Sequence, residues 1–294
     1  MANYCVPLDD LNYLFWISVG LMLAFVAVAF MIGRALQRRD YEALARDELR
    51  QVVISIVIGI SVVGLASTAC YLSEAMMQNI APNMTIFQYS ENYLTTLVNN
   101  IGLPVIKNLW TFSYFSTFLA TMNPIQLGGS SPLQGAQIIS AAADNINSFV
   151  FMPLVSSLTL QMIILQAAEA FSFTLLLPCG MMLRVLRPTR AGGCFLIAVS
   201  FAAFVVWPMT YVINYQITQS IYPNFAKGVE VEQMNITELA TDPLQIFKFL
   251  SEKLLYFVDQ GVIVLPQALV LPVFSLTITA TFIGAFTEFL KELR

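Results

Sequence analysis

The chain has 294 residues, of which 57% are hydrophobic and 11% charged, and its formal net charge is −4. A soluble domain carries about 25% charged residues, so this composition, with a mean hydropathy of +0.72, argues against most soluble enzymes. It also offers no broad basic field for nucleic acid. Histidine is absent and the four cysteines form no Cys-x-x-Cys pair. We therefore expect no zinc site and no other metal or cofactor.

Five apolar segments are each long enough to cross the hydrocarbon core of a bilayer, which takes about 20 helical residues. We predict an all-α polytopic transmembrane helical bundle in which one integral membrane domain covers 1–294. The first segment follows Asp9 and Asp10 without a basic residue before it, so we predict a retained span and not a cleaved signal peptide. The predicted spans are approximately 11–33, 52–72, 149–183, 194–215 and 261–286.

The segment 101–122 is also apolar, although it contains Lys107. Its aromatic residues suit the headgroup boundary, so we predict an interfacial or re-entrant helix. Pro104, together with the Asn99–Asn100 pair, predicts a break just before that helix. The alternative is a bundle of six or seven spans, with a return crossing through 133–150.

Arginines concentrate in two of the short loops between predicted spans. Basic short loops stay on the cytoplasmic side, so we predict a cell-membrane protein with its N-terminus outside and its C-terminus in the cytoplasm. The loop 34–51 has helix-forming composition and predicts a helix, either a solvated connector or a docking surface for a cytoplasmic partner. The partner-docking candidates are Arg38, Arg39, Arg46 and Arg50, and the cytoplasmic basic turn holds Arg184, Arg187 and Arg190.

Two further features agree with this orientation. The glycosylation sequons at Asn83 and Asn235 both fall in predicted outer loops. Cys5 and Cys70 lie at the outer ends of the first two spans, where an oxidising exterior would allow a disulfide. The alternative is two unpaired cysteines packed among lipid or helices.

Polar residues within the predicted spans are the candidates for a conduit. Glu169 is ionisable within a span, which is costly, and helical geometry places Gln166 within about 60° of it. Together with Gln161 they predict a polar strip facing the bundle interior, which is either part of a conduit or a set of interhelical hydrogen bonds. Pro266 and Pro272 each interrupt the backbone hydrogen bonding of the last span, where a broken helix either lines a pathway or forms a packing kink.

We expect no enzymatic activity. The chain contains no phosphate-binding loop, zinc-protease motif or nucleophile elbow. Without histidine, the commonest general base is missing as well. Any energy source is therefore expected to be a partner ATPase or an ion gradient.

The stretch 175–211 combines a span exit, a tight basic turn and a glycine-assisted return. It resembles archaeal polytopic membrane proteins related to the DNA-import Ced membrane subunit and, more distantly, the polytopic inner-membrane subunit of type IV secretion systems. The resemblance implies an oligomeric channel or platform that works beside a hexameric ATPase and pilin-like subunits. The matching elements are Leu177-Pro178-x-Gly180, Leu183-Arg184, Arg187-x-Thr189-Arg190, Gly192-Gly193 and Pro208.

We accordingly expect a channel-forming or scaffolding subunit of a DNA or protein transfer machine, present as a homo-oligomer in the lipid bilayer. The acidic outer loops fit poorly with direct contact to DNA, which leaves the transported substrate open. One alternative is a self-contained ion or small-solute transporter. Another is a membrane anchor or assembly factor without a conduit.

Overall fold

The structure is a computed structural model that describes residues 8–35, 39–77, 84–121, 134–185, 187–223, 225–229 and 243–292. All regular elements within these ranges are helical. The α-helices are α1 (Leu8–Ala35), α2 (Arg39–Met77), α3 (Ile86–Thr96), α4 (Leu103–Thr121), α5 (Gln134–Ile146), α6 (Met152–Phe171), α7 (Leu177–Val185), α8 (Arg190–Phe201), α9 (Trp207–Ile221), α10 (Pro243–Gly261) and α11 (Val264–Glu292).

Four helical stretches in the described part of the chain are long and apolar enough to cross a membrane. They are Leu49–Ala69, Gly135–Arg184, Arg190–Ile221 and Ile246–Glu292, and a shorter apolar stretch, Val19–Ala35, accompanies them. The prediction of an all-α multi-pass membrane protein is therefore confirmed. The 50-residue stretch that ends at Arg184 is about 75 Å long, which exceeds a hydrocarbon layer of about 30 Å even at a tilt of about 40°.

Four short π-helical segments interrupt these helices, and each ends two residues before a proline. They are Leu97–Gly102, Asn147–Phe151, Ser172–Leu176 and Ala202–Val206, followed by Pro104, Pro153, Pro178 and Pro208. In each case the residue just before the proline donates its amide to the carbonyl five positions earlier. Because proline has no N–H and its ring clashes with the preceding turn, this wider turn lets the helix continue past it.

The π segments correct one expectation from the sequence. The predicted break before the segment 101–122 is wrong, because α3 continues into α4 through the π-helical turn at 97–102. The predicted helix in the loop 34–51 is present over 39–51 as the start of α2, whereas residues 36–38 lie outside the described ranges. The position of α4 at a membrane interface stays a prediction.

The described helices divide into two compact units, and the boundaries between them fall within α3, α6, α9 and α11. Unit 1 comprises the described residues of 1–91, 163–214 and 274–294, and its core contains stacked phenyl rings. The ring of Phe204 lies 5.0 Å from that of Phe87 and 4.2 Å from that of Phe173, centroid to centroid. Phe201 stacks on Phe282 at 5.6 Å. These contacts fill the middle of unit 1 with apolar side chains.

Helices α7 and α8 of unit 1 form the hairpin that the glycine-containing stretch predicts. A side chain at Gly193 would meet the backbone nitrogen of Arg184, and a side chain at Gly180 would lie 2.9 Å from the backbone nitrogen of Ile197. Small residues at both positions therefore allow the two backbones to pack directly against each other.

Unit 2 comprises the described residues of 92–162 and 215–273. Hydroxyl groups join α4 to α5: Ser140 Oγ donates to the carbonyl of Ser113 at 3.0 Å and shares a hydrogen bond of 2.7 Å with Thr117 Oγ1. The Phe112 and Phe257 rings, 6.0 Å apart, join α4 to α10. Unit 2 thus combines polar interhelical contacts with an aromatic core.

Candidate functional site

The sharpest polar feature of unit 1 is a group of three side chains at its surface. Gln166 Nε2 on α6 donates a hydrogen bond of 2.5 Å to the Glu91 carboxylate on α3. Glu169 lies one helical turn further along α6 and is close enough to interact repulsively with Glu91. Gln166 and Glu169 are exposed, and Glu91 is half-buried. We call these three residues the polar cluster.

The start of α3 determines where Glu91 lies. A capping box closes the first turn: Thr85 Oγ1 accepts from the amide of Gln88, and Gln88 Oε1 accepts from the amide of Thr85, both at 3.1 Å. Ser90 Oγ donates to the carbonyl of Pro208 on α9 at 3.2 Å. Because α3 is both capped and tied to α9, the next residue, Glu91, is held against α6.

The polar cluster was only partly predicted. Gln166 and Glu169 share one face of α6, as their spacing requires, but that face is the surface of unit 1 and not its interior. Glu91 is not among the site residues that the sequence predicts. The Thr85-x-x-Gln88 capping box immediately before Tyr89 is the sequence signal that could have located α3.

The other conduit candidates lie in unit 2 and take part in packing. Gln161 is buried, and its Nε2 lies 3.5 Å from Ser157 Oγ. Ser157 Oγ in turn donates to the carbonyl of Ala268 at 2.9 Å, which is the carbonyl that Pro272 deprives of its usual N–H donor. Pro266 is exposed in the first turn of α11, where proline is tolerated. These contacts favour the packing kink over a pathway at the two prolines.

A buried hydrogen-bond network in unit 2 was not foreseen from the sequence. Gln267 Nε2 donates to Thr218 Oγ1 at 3.1 Å, and Thr218 Oγ1 shares a hydrogen bond of 3.1 Å with the Tyr93 hydroxyl. All three side chains are buried. This network joins α3, α9 and α11 and satisfies polar groups inside an otherwise apolar core.

The basic turn between α7 and α8 is ordered by hydrogen bonds and is not a freely solvated loop. Arg184 is 2% exposed and its Nη2 donates to the carbonyl of Leu290 on α11 at 3.2 Å. Arg190 Nε donates to the carbonyl of Arg184 at 3.3 Å, and Thr189 Oγ1 donates to that of Leu183 at 2.8 Å. The turn is therefore held by its own side chains and by α11.

The remaining candidates are described only in part. Arg46 and Arg50 are exposed on α2, as a docking surface requires. Cys179 is exposed, Cys194 is buried, and neither forms a disulfide. Among the described residues, no group of three or more Cys, Asp or Glu side chains is placed to hold a metal ion. The side chains of Cys5, Arg38, Arg39, Cys70, Asn83, Arg187 and Asn235 lie outside the described part of the structure.

Fold and site together define an α-helical multi-pass membrane protein with acidic and amide side chains at the surface of one unit and, within that unit, a basic turn whose Arg184 is buried. Comparison of the chain with protein families, with curated proteins and with solved structures finds no match.

Proposed function

We propose that the protein is a channel-forming or scaffolding subunit of a type IV secretion-like machine that transfers DNA or protein across the cell membrane. Several copies assemble in the bilayer, and the polar cluster of each copy faces a neighbouring copy or a water-filled lumen. The N-terminus lies outside and the C-terminus in the cytoplasm.

The polar cluster is the observation that carries the proposal. Apolar, lipid-compatible side chains are exposed on the same helical stretch of unit 1: Ile163, Phe171 and Leu175 are all more than half exposed. A charged side chain at the centre of a span costs about 2.5–3.5 kcal/mol on insertion scales and seldom faces lipid. Two carboxylates and an amide on such a surface therefore favour coverage by protein or water, which a second copy provides.

The interior of unit 1 is closely packed, which favours a conduit formed between copies and not one within a single copy. Phe87, Phe173 and Phe204 pack at its centre, and Ser200 and Ser172 form a buried hydrogen bond of 2.6 Å between α8 and the π segment before Pro178. Close-packed side chains leave little room for a solute. The polar groups suited to a conduit lie at the surface, where only an assembly can enclose them.

The resemblance of the stretch 175–211 supports a place in a transfer machine. Such a machine takes its energy from a hexameric ATPase, and the exposed arginines of α2, Arg46 and Arg50, offer charge for docking an acidic cytoplasmic surface. The small pilin-like subunits and the transferred DNA or protein complete the proposed set of partners.

The oligomer is tested on the full-length protein in lipid nanodiscs, with the stoichiometry read by native mass spectrometry. We expect wild type to be oligomeric and the double variant Gln166→Leu/Glu169→Leu to shift toward monomer, because the variant removes the polar contacts between copies. Glu288→Leu, which changes an exposed acid of unit 1 outside the polar cluster, is the matched control and should leave the stoichiometry unchanged. A wild-type protein that is monomeric at every concentration would contradict the proposal.

The machine is tested by affinity purification of the tagged protein from its native membrane. We expect a hexameric ATPase and pilin-like proteins to co-purify, and Arg46→Glu/Arg50→Glu to reduce ATPase recovery. Purified protein that moves ions or solutes across liposomes alone, with loss of flux in Glu169→Gln, would support the self-contained transporter instead. A silent Glu169→Gln combined with abolished partner capture in the arginine variants would support an anchor without a conduit.

A further inference from the structure

A groove on the surface of unit 1 follows the C-terminal part of α11. Its volume is about 510 Å³, which lies within the range of roughly 300–1,000 Å³ that small-molecule sites occupy. Phe195 of α8 lines the groove together with residues of α11. The lining residues of α11 are Ala280, Ile283, Gly284, Thr287, Glu288 and Lys291.

The chemistry of this lining changes in one direction along α11. The part up to Gly284 is apolar, whereas Glu288 and Lys291 at the far end are charged and exposed. These charged residues belong to the last turns of the membrane-crossing stretch Ile246–Glu292. Charged side chains near the end of a span extend to the headgroups and avoid the hydrocarbon. We therefore expect the groove to cross the boundary between hydrocarbon and headgroups.

The apolar part of the groove is open to an occupant. A Cβ atom built at Gly284 would meet no atom within 4 Å, and Phe195 is 50% exposed. A flexible chain of methylene groups can follow such an open surface and gain van der Waals contact with it.

Thr287 lies between the apolar part and the charged end. It is 7% exposed, and its Oγ1 has no hydrogen-bond partner in the described part of the chain. A buried hydroxyl without a partner is costly. The groove therefore favours an occupant that brings an oxygen acceptor to this level, which the ester group of a glycerolipid does.

We propose that this groove binds one glycerophospholipid whose headgroup carries a primary ammonium group, as in phosphatidylethanolamine. The acyl chain lies along the apolar part, and the ester oxygens lie at the level of Thr287. The ammonium donates to the Glu288 carboxylate, and Lys291 Nζ donates to the phosphate.

The order of groups along the groove is the argument for a lipid over a helix of a second copy. Apolar, hydroxyl and charged side chains follow one another along α11 as chain, ester and headgroup follow one another along a phospholipid. The lining does not include the polar cluster, so the site does not depend on the proposed oligomer or on the transfer machine.

Headgroup selectivity is tested on the full-length protein in detergent, mixed with equal amounts of phosphatidylethanolamine and phosphatidylcholine. Retained lipid is counted by native mass spectrometry. Because choline has no N–H to donate to Glu288, wild type should retain phosphatidylethanolamine in about three- to tenfold excess. Glu288→Gln should retain the two lipids about equally, and Lys291→Gln should lower the retention of both.

Gly284→Leu tests the apolar part of the groove. The leucine side chain occupies the space of the acyl chain, so retention of both lipids should fall to background. Gly64→Leu in α2 is the matched control, because Gly64 is exposed, has no atom within 4 Å of an added Cβ and does not line the groove. Leucine favours the helix over glycine, so Tm of both delipidated variants should equal or exceed that of wild type, which separates loss of lipid from misfolding.

Three results would overturn the proposal. The first is equal retention of the two lipids by wild type, or a wild-type preference that survives in Glu288→Gln. The second is lipid retention in Gly284→Leu that equals that of Gly64→Leu. The third is a changed oligomer stoichiometry in Gly284→Leu with unchanged lipid retention, which would assign the groove to a helix of a second copy.

Discussion

The adjacent glycines at the start of α8 provide a matched pair for testing the hairpin between α7 and α8. At Gly193 an alanine methyl would lie 2.6 Å from the carbonyl oxygen of Gly180 and 2.8 Å from Cα of Arg184. These are backbone atoms, which cannot rotate away, so α7 and α8 would have to separate. At Gly192 an added methyl meets nothing within 4 Å.

The two substitutions should therefore change stability in opposite directions. Gly193→Ala overpacks a backbone contact, which costs about 1–3 kcal/mol. Gly192→Ala gains up to about 1 kcal/mol of helix propensity without a clash. The expected difference between the variants is thus about 1–4 kcal/mol in the free energy of unfolding.

The measurement is thermal unfolding of each purified variant in detergent, followed by circular dichroism. We expect Tm of Gly193→Ala to lie several degrees below that of wild type and Tm of Gly192→Ala to equal or exceed it. Because the sequence change is the same and the positions are neighbours, detergent and expression effects cancel. Equal Tm values for the two variants would refute the close approach of α7 and α8.

Three further predictions concern the proline kink, the start of α3 and the orientation. Ser157→Ala should lower the free energy of unfolding by about 1 kcal/mol, because the carbonyl freed by Pro272 loses its donor, and this cost should disappear in a Pro272→Ala background. Thr85→Ala should cost about 1 kcal/mol and speed amide hydrogen exchange at the start of α3. In a cysteine-free chain, Pro188→Cys should react with an impermeant thiol reagent from the cytoplasmic side alone.

Each of these has its own control. Ser156→Ala removes an exposed hydroxyl next to Ser157 and should leave stability unchanged; an equal loss from both serines would contradict the kink assignment. Unchanged exchange at 86–90 in Thr85→Ala would contradict the capping box. Arg46→Cys in α2 should label from the same side as Pro188→Cys, and labelling of either position from outside intact cells would invert the proposed orientation.

Much of the fold followed from local sequence. The apolar stretches predicted the membrane-crossing helices because span length and composition are properties of a single segment. The glycines between α7 and α8 predicted close helix contact for the same reason. The shared face of Gln166 and Glu169 followed from helical periodicity alone.

The prolines show where local reasoning ends. Their positions in the sequence indicated kinks or breaks, yet α3 continues into α4 past Pro104 through a π-helical turn. The carbonyl of Ala268, which Pro272 leaves without its N–H donor, accepts a hydrogen bond from Ser157 Oγ instead. Ser157 and Ala268 are 111 positions apart in the sequence. Whether a proline breaks a membrane helix depends on which neighbouring group can donate a hydrogen bond to the carbonyl that the proline leaves without its N–H donor. The residues next to the proline in the sequence do not show which group that is.

The sequence by itself determined the medium of this protein, the helical character of its spans and the position of its basic turn, because each depends on residues close together in the chain. The tertiary structure alone decided that Arg184 is buried against Leu290, that Gln51 of α2 and Arg184 line one small cavity, and that Glu91 meets Gln166 at a surface. These pairings join residues far apart in sequence. They arise from the packing of whole helices, which sets the burial and the charge that each side chain experiences.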